Sequence, residues 1–423
     1  MNPQIPQSGW RLAALSLLLI PLSFFSFSCG EKVFSREMKG IDKGGSAPST
    51  WPPLFVAPEH CDSADLSPDE RLLAAHCVRA DFPTGPEPRY LETIQLWDFG
   101  QKTMLKETEL EGAGGGMGAD GSSPRHGRVW FSSTGREMVV LAGTMVHILG
   151  TQGLKPVRTF RLTAPSSSVR SATKGILEFK PRLLSAEVSP ATDRIAVLWN
   201  REYSYGRIDV YDLSTGNHFH SWEMPSAGNI HSTNGLAWSP DGAMLALAVP
   251  HESPKADILV LDVGSRELRI TIASSLVAAS VAFISGDRIL TVENRDRGLV
   301  FNRQPALHVF DIAKGTLVRT LSGRGGGVRY FVHSSGDGKR FLAYTGKSRP
   351  VFDYEGLSFV AAPIDHTITV WSSQTWEEIF TTPDIPHASI AKDIRLSRRG
   401  TYIMIGGDVY PIGDGPANIA PPR

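Results

Sequence analysis

The chain lacks the short motifs that usually indicate catalysis or metal binding. Its 12 histidines show no metal-ligand spacing, and there is no His-Glu-x-x-His, Cys-x-x-Cys pair, calcium loop or Gly-x-Ser-x-Gly turn. His333-Ser334 and Asp365-His366 are isolated pairs, and we interpret them as polar residues at strand ends. The sequence therefore predicts no cofactor and no metal ion, and it favours a non-catalytic protein.

Excess charge of either sign is also missing. Lys plus Arg and Asp plus Glu both number 43, so the 423-residue chain has a formal net charge of zero. Nucleic-acid binding needs a basic surface that neutralises phosphates, so we expect none here. The Gly-rich runs at residues 112–118 and 323–327 lack the strand, helix and Lys-Ser/Thr of a phosphate-binding loop. We interpret both runs as flexible connections.

The N-terminus carries an apolar segment without charge. In residues 1–28 a single basic residue, Arg11, precedes apolar residues 12–27, and small residues stand at Ser26 and Ser28, which together indicate a signal peptide. The segment is short for a membrane span. Residues 29–53, rich in Gly, Ser, Pro and charge, are expected to form a flexible tether.

Cys29-Gly30 follows the apolar segment directly and resembles the lipidation box of bacterial lipoproteins. Lipidation of Cys29, ordinary cleavage without a lipid and an uncleaved anchor remain open alternatives. All three place the rest of the chain outside the cytoplasm, either as a membrane-anchored lipoprotein or as a periplasmic or secreted protein.

A serine that ends an apolar strand and begins a tight turn recurs seven times. The positions are Ser67, Ser132, Ser189, Ser239, Ser285, Ser334 and Ser397. By subtraction, neighbouring serines are 46 to 65 residues apart. A repeat of this length with a hairpin in each unit predicts small antiparallel sheets arranged radially.

The fourth repeat shows the pattern of one unit most clearly. Apolar residues 236–238 precede the turn Ser239-Pro240-Asp241-Gly242, and residues 244–249 form a continuous apolar run. Residues 258–262 predict a third strand, and the alternation over 267–272 predicts a half-exposed fourth strand. Such a sheet buries both faces only if neighbouring units pack against it.

In these features the chain resembles the WD40-type β-propeller family. The motif at the end of the third strand is carried by Leu96-Trp97-Asp98, Val210-Tyr211-Asp212, Leu261-Asp262, Val309-Phe310-Asp311 and Val370-Trp371-Ser372. The second repeat departs from it and reads His147-Ile148-Leu149-Gly150. The resemblance implies an all-β, seven-bladed propeller of four-stranded antiparallel blades over residues 54–423. Because the seventh repeat has only three strands, residues 54–57 are expected to supply the fourth and close the ring.

The two remaining cysteines flank the first serine turn. If Leu66 pairs with Leu72, positions that sum to 138 face each other, and Cys61 and Cys77 satisfy this condition. Directly facing residues of an antiparallel pair lie within disulfide reach, and an exported protein can be oxidised. A disulfide and two buried, unbonded cysteines separated by a bulge remain the two alternatives.

The propeller arrangement implies one plain face and one face rich in loops. The serine turns and the turns between third and fourth strands share the first face, which we call the serine-turn face. Long segments at residues 79–91, 200–207, 250–257, 293–306 and 346–366 lie on the other, which we call the loop face. Function concentrates on loops held by rigid scaffolds, so we expect the loop face to bind.

Arginine and aromatic residues, which are enriched at protein-binding hot spots, occur together in these loop segments. The predicted partner-binding residues are Tyr203, Tyr205, Arg295, Arg297, Arg303, Arg349, Phe352 and Tyr354. We therefore expect a monomeric binding or scaffolding propeller with a protein partner and with membrane contact only through its N-terminus. The alternative is a lactonase-like or hydrolase-like propeller enzyme, which would gather acidic residues and histidines around a cation at the central channel.

Overall fold

The computed structural model describes most of the chain after the N-terminal segment. The residues described are 53–58, 61–81, 89–110, 127–165, 168–171, 175–178, 181–200, 206–224, 235–250, 256–274, 278–293, 306–322, 331–353, 358–382 and 393–413. The proposed signal peptide, Cys29 and most of the proposed tether lie outside them.

Six blades are four-stranded antiparallel sheets in which sequential strands are neighbours. Blade 1 contains β1 (Cys61–Leu66), β2 (Leu72–Asp81), β3 (Arg89–Asp98) and β4 (Thr103–Glu109). Blade 2 contains β5 (Arg128–Phe131), β6 (Glu137–Ala142), β7 (Met145–Gly150) and β8 (Lys155–Arg161). A separate hairpin, β9 (Ser168–Ser171) and β10 (Gly175–Glu178), follows. Blade 3 contains β11 (Arg182–Val188), β12 (Arg194–Asn200), β13 (Gly206–Asp212) and β14 (His218–Glu223).

Blades 4 to 6 repeat the same order. Blade 4 contains β15 (Leu236–Trp238), β16 (Met244–Pro250), β17 (Ala256–Asp262) and β18 (Glu267–Ser274). Blade 5 contains β19 (Ala278–Ser285), β20 (Arg288–Glu293), β21 (Ala306–Asp311) and β22 (Thr316–Ser322). Blade 6 contains β23 (Phe331–Ser334), β24 (Arg340–Asp353), β25 (Ser358–Ser372) and β26 (Glu378–Thr381).

The seventh blade is completed by the N-terminal end of the described chain. Its own strands are β27 (Ile394–Leu396), β28 (Tyr402–Ile405) and β29 (Asp408–Pro411). Leu54 donates its N–H to the Val409 carbonyl at 2.8 Å, and Phe55 accepts the Val409 N–H at 3.0 Å. Buried Phe55 packs edge-on against Trp97 of blade 1, with ring centroids 5.1 Å apart. The predicted seven-bladed ring and its closure are confirmed.

The core lies between neighbouring blades. Trp222 and Met224 at the end of blade 3 cluster with Trp238, Leu245 and Leu247 of blade 4, and all five are buried. Burial of each such side chain stabilises the fold by roughly 1.5–3 kcal/mol. Since each blade buries one face against the next, the stability of a blade depends on both neighbours.

In five blades the turn serine closes the first turn by accepting, through its hydroxyl group, the N–H five residues later. Ser67 Oγ accepts the Leu72 N–H at 2.9 Å and donates to Asp69 at 2.6 Å. Ser239 makes the equivalent bond to the Met244 N–H at 2.8 Å. In the sixth repeat this residue is Ser335, which accepts the Arg340 N–H at 3.1 Å. The prediction that Ser334 is the turn serine was therefore wrong by one residue. Ser334 and Ser335 are adjacent, and only the register of β23 shows which of them begins the turn.

In four blades an aspartate at the end of the third strand closes the turn to the fourth strand. Asp98, Asp212, Asp262 and Asp311 each accept the N–H three residues later at 2.8–2.9 Å. The residue four positions after the aspartate is left-handed, as at Lys102 with a φ of 56°. The resemblance to WD40 repeats therefore corresponds to a specific turn geometry.

The first hairpin joins its two cysteines as a facing pair. Cys61 and Cys77 are register partners and form a disulfide with an S–S distance of 1.97 Å. Leu66 pairs with Leu73 and not with Leu72, because the turn is one residue longer than expected. A bulge between Cys61 and Ser63 compensates for the extra residue and restores the facing position.

The described residues of the segment 346–366 form a strand pair, although the segment was predicted to be a loop. After an irregularity at Thr345, β24 and β25 continue to pair from Lys347–Ile364 to Asp353–Ser358. Pro350 and Pro363 lie in this pair, and proline has no N–H to donate. The described parts of β23 and β26 pair only with the first half of this hairpin. The far half of the hairpin therefore has no described strand on either outer edge, and proline is tolerated at such an edge. We call residues 347–353 and 358–364 the blade 6 arm.

In the part of the chain that the structure describes, no helix has the length and apolarity needed to cross a membrane.

The ring closure predicts a large difference between two adjacent residues. Phe55 is 5% exposed, whereas Val56 is 63% exposed. Phe55→Ala should lower the free energy of unfolding by about 3 kcal/mol because it leaves a cavity between blades 7 and 1. Val56→Ala should change it by less than about 0.5 kcal/mol. Chemical denaturation monitored by tryptophan fluorescence measures both, and equal losses would show that this segment does not close the ring.

Candidate functional site

A cavity of about 150 Å³ lies at the serine-turn end of the central channel. Its rim includes residues of the serine turns, namely Ser189, Pro190, Pro240, Gly336 and Arg398. Its wall is formed by the first strands of the blades, which are the innermost strands of the propeller. The cavity therefore opens on the serine-turn face.

One position of the repeat supplies much of the wall. The residue two places before the turn serine lines the cavity in six blades, as Asp65, Trp130, Glu187, Ala237, His333 and Arg395. In blade 5 a bulge in β19 changes the register, and Val281 and Ala282 line the cavity instead. Four ionisable side chains thus converge from repeats that are far apart in sequence, namely Asp65, Glu187, His333 and Arg395.

Arg395 is the central cation of the site. It is 4% exposed, forms an ion pair with Asp393, and donates from Nη1 to the Val129 carbonyl of blade 2 at 3.2 Å. Its guanidinium carbon lies 5.0 Å from the centre of the Trp130 ring. Arg395 therefore reaches from blade 7 past blade 1 to blade 2.

Arg128 forms ion pairs with two carboxylates, that of Glu187 and that of Asp393, the second of which it shares with Arg395. Its Nη1 lies 2.7 Å from Glu187 and donates to the Ala186 carbonyl at 2.9 Å, and its Nη2 lies 3.7 Å from Asp393. Burial acts to raise the pKa of Asp393, but the guanidinium groups of Arg395 and Arg128 outweigh it and hold the pKa at about 2. Asp393 is therefore ionised at neutral pH.

Asp65 has a different environment from Asp393. Its two oxygens accept the N–H groups of Leu66 at 2.9 Å and of Phe131 in blade 2 at 2.8 Å. Burial raises the pKa of Asp65 to about 6, although Arg395 and the N–H donors act in the opposite direction. Its charge is thus less stable than that of Asp393.

His333 is a neutral hydrogen-bond acceptor in this site. Burial and the charge of Arg395 lower the pKa of His333 to about 4. Nδ1 accepts the Leu396 N–H of blade 7 at 3.3 Å, so the ring proton lies on Nε2. His333 lies near the end of β23, as expected for a strand-end polar residue, and this end of β23 forms part of the channel wall.

These side chains connect blades that share no backbone ladder. Asp65 and His333 both accept an N–H from the first strand of the next blade, and Ser280 does the same for Val332 at 3.3 Å. The acids and the imidazole therefore hold backbone groups in place. Within the described ranges, no three His, Cys, Asp or Glu side chains form a group that could hold a metal ion.

The structure describes few of the partner-binding residues predicted from the sequence. Arg349 and Phe352 lie in the blade 6 arm, where they pair with Ala362 and Phe359. The other six lie outside the described residues, namely Tyr203, Tyr205, Arg295, Arg297, Arg303 and Tyr354. Whether the eight residues form one surface remains a prediction.

The sequence analysis did not find the channel site, although a signal for it was present. Six turn serines have a channel-lining residue two positions earlier, and four of these residues are Asp, Glu, His or Arg. In β-strands such polar residues at an otherwise apolar position indicate a shared environment. The misassigned serine in the sixth repeat concealed His333 from this comparison.

Comparison with known proteins adds support for the fold alone. No protein-family model and no curated protein matches the chain. Hydrazine synthase of Kuenenia stuttgartiensis is similar in structure, with a TM-score of 0.51 and 12% identity over 85% of this chain and 94% of that chain. Raptor of Chaetomium thermophilum has a TM-score of 0.54 and 11% identity over 87% of this chain, which corresponds to 29% of the Raptor chain. These similarities bear on the fold of the chain alone.

Proposed function

We propose that this protein is a non-catalytic binding or scaffolding propeller that acts outside the cytoplasm and is tethered to a membrane through Cys29. The observation that carries the binding role is the blade 6 arm. Here two strands continue for seven residues on each side, from Lys347 to Asp353 and from Ser358 to Ile364. At about 3.4 Å per residue, the arm adds roughly 20 Å to the blade.

The arm suits a protein-binding role because of its place in the fold. It joins the second and third strands of blade 6, so it extends from the loop-face end of the ring. The separate hairpin β9–β10 belongs to a blade-to-blade connection and therefore lies at the same end. Arg349 and Phe352 belong to residue types that dominate binding energy at protein interfaces. Elements that extend a rigid scaffold are common sites of recognition.

A propeller enzyme is the alternative function. Asp65, Asp393 and His333 do converge at the channel, as that alternative requires, and the similar hydrazine synthase is named as an enzyme. Each of the three side chains, however, hydrogen-bonds a backbone N–H, a serine or an arginine that links blades. This arrangement favours a structural role for them over acid–base chemistry.

The extracytoplasmic location is proposed from the N-terminal sequence. Residues 1–28 have the pattern of a signal peptide, and Cys29 follows it. The disulfide between Cys61 and Cys77 fits an oxidising compartment.

The binding role predicts that a partner contacts the arm. A photo-crosslinking side chain at Phe352 should capture a protein in cells, whereas the same group at Val318 should not. Val318 is 51% exposed and lies on the outer strand of blade 5. Arg349→Ala and Phe352→Ala should each weaken the captured complex at least about tenfold, since an anchor residue contributes about 2 kcal/mol. Equal capture at both positions, or capture at Val318 alone, would contradict the proposed surface.

The proposed tether predicts the effect of removing one sulfur atom. Cys29→Ser should release the protein from the membrane into a soluble extracytoplasmic fraction, because serine cannot carry the lipid. Cell fractionation with immunoblotting measures this, and Cys61→Ser serves as a control that should stay with the membrane. If Cys29→Ser remains membrane-bound, an uncleaved anchor replaces lipidation in the account. If the wild-type protein is cytoplasmic, the proposed location is wrong.

A further inference from the structure

The channel cavity contains hydrogen-bond donors that the described residues do not use fully. Arg398, on the rim, donates one bond to the Ser132 carbonyl at 3.4 Å and forms no ion pair with a described residue. Trp130 is 6% exposed, and its buried Nε1–H has no partner within the described part of the chain. His333 carries its proton on Nε2, because Nδ1 already accepts the Leu396 N–H.

The acidic side chains of the cavity, by contrast, are already occupied. Glu187 is paired with Arg128, and Asp393 is paired with both Arg395 and Arg128. Asp65 accepts two backbone N–H groups. A cation entering the cavity would compete with these bonds, whereas an acceptor would find Arg398, which donates only one of its five N–H groups to a described residue. The balance therefore favours an anionic ligand.

The size and wall of the cavity restrict that ligand to one small group. Its volume of about 150 Å³ is below the roughly 300–1,000 Å³ of pockets for larger ligands. Trp130, Phe131, Trp238 and Phe331 supply aromatic surface around it. A carboxylate on a short aliphatic chain matches both properties, because its oxygens accept from an arginine and its methylene groups contact the aromatic rings.

We propose that this cavity is a binding site for a single carboxylate group, carried either by an acidic side chain of a partner protein or by a small free organic acid. Arg398 is the group that pairs with the carboxylate at the channel mouth, and the aromatic wall receives the aliphatic chain. The site lies on the serine-turn face, so it is separate from the loop-face surface and does not depend on it.

The test uses isothermal titration calorimetry on the purified protein with two probes. One probe is a capped peptide of sequence Gly-Ser-Glu-Ser-Gly, and the other is sodium glutarate. The expected result is one site for at least one probe and at least roughly tenfold weaker binding of the matched Gln peptide, which has no charge. Binding of the peptide identifies a protein partner as the source, and binding of glutarate alone identifies a small acid.

Two adjacent arginines provide a matched pair of variants. Arg398→Gln should weaken the probe at least roughly tenfold, because a charge-assisted bond is lost. Arg399→Gln, in the exposed position next to it on the same turn, should leave binding within about twofold. Equal effects of the two substitutions would overturn the proposal, since general electrostatic attraction would then explain the binding.

A second variant tests the cavity without changing its charge. Ala237 lines the wall, and Ala237→Phe should fill the space and abolish binding while thermal unfolding still shows one cooperative transition. Saturable binding that survives Ala237→Phe, measurable binding of the Glu and Gln peptides with equal affinity, or no binding of either probe at 10 mM, about 100 times the Kd of a weak site, would each overturn the proposal. Alanine substitutions in the blade 6 arm should leave this binding unchanged, which separates the site from the proposed function.

Discussion

The inner strands of neighbouring blades share no backbone ladder, and this constraint governs the rest of the structure. Each blade is a separate sheet, so the first strand of every blade has one edge without a strand partner. Buried N–H and C=O groups on that edge are costly if they stay unpaired. The chain satisfies several of them with side chains of an adjacent blade, as Asp65 does for Phe131 and His333 does for Leu396.

The junction of blades 7, 1 and 2 shows how this constraint and ring closure meet. At the outside, Leu54 and Phe55 complete the seventh sheet through Val409. At the inside, Arg395 reaches the Val129 carbonyl, and Asp393 accepts from Ser63 at 3.1 Å. The ring is thus closed at two radii, once by a short strand and once by a charged cluster. The charged cluster therefore links blade 7 to blades 1 and 2 beside the cavity.

The fold could be predicted from the sequence because its signals are local. A turn serine or a strand-ending aspartate fixes its geometry within five residues, so each repeat carries the information independently. The sequence left the disulfide as one of two alternatives, on a register that was wrong at Leu72, and a bulge that the sequence does not reveal restored the facing position of the cysteines. The segment that contains the blade 6 arm was predicted to be a loop from the propeller arrangement, and its strand pairing was missed. Pro350 and Pro363 in the arm are tolerated in strands only at edges or bulges, so the local sequence does not indicate this pairing.

The channel site could not be predicted in the same way, because it exists only when distant repeats are superimposed. Arg395 and Val129 are 266 residues apart, and nothing near either residue indicates their contact. Asp65 and Asp393 are both aspartates of inner strands, yet one lies among N–H groups and the other between two arginines. The resulting difference in their pKa values, about 6 against about 2, depends on tertiary structure alone.

Hydrogen exchange at two backbone amides tests most directly whether side chains replace the missing ladder. The amides of Phe131 and Leu396 should be protected in the wild-type protein, although neither donates to a backbone carbonyl of its neighbouring blade. Asp65→Ala should increase exchange at Phe131 roughly tenfold or more and leave Leu396 protected, because one hydrogen bond to a charged group is lost. His333→Ala should do the reverse. Rapid exchange of both amides in the wild-type protein, or protection that survives both substitutions, would contradict the account.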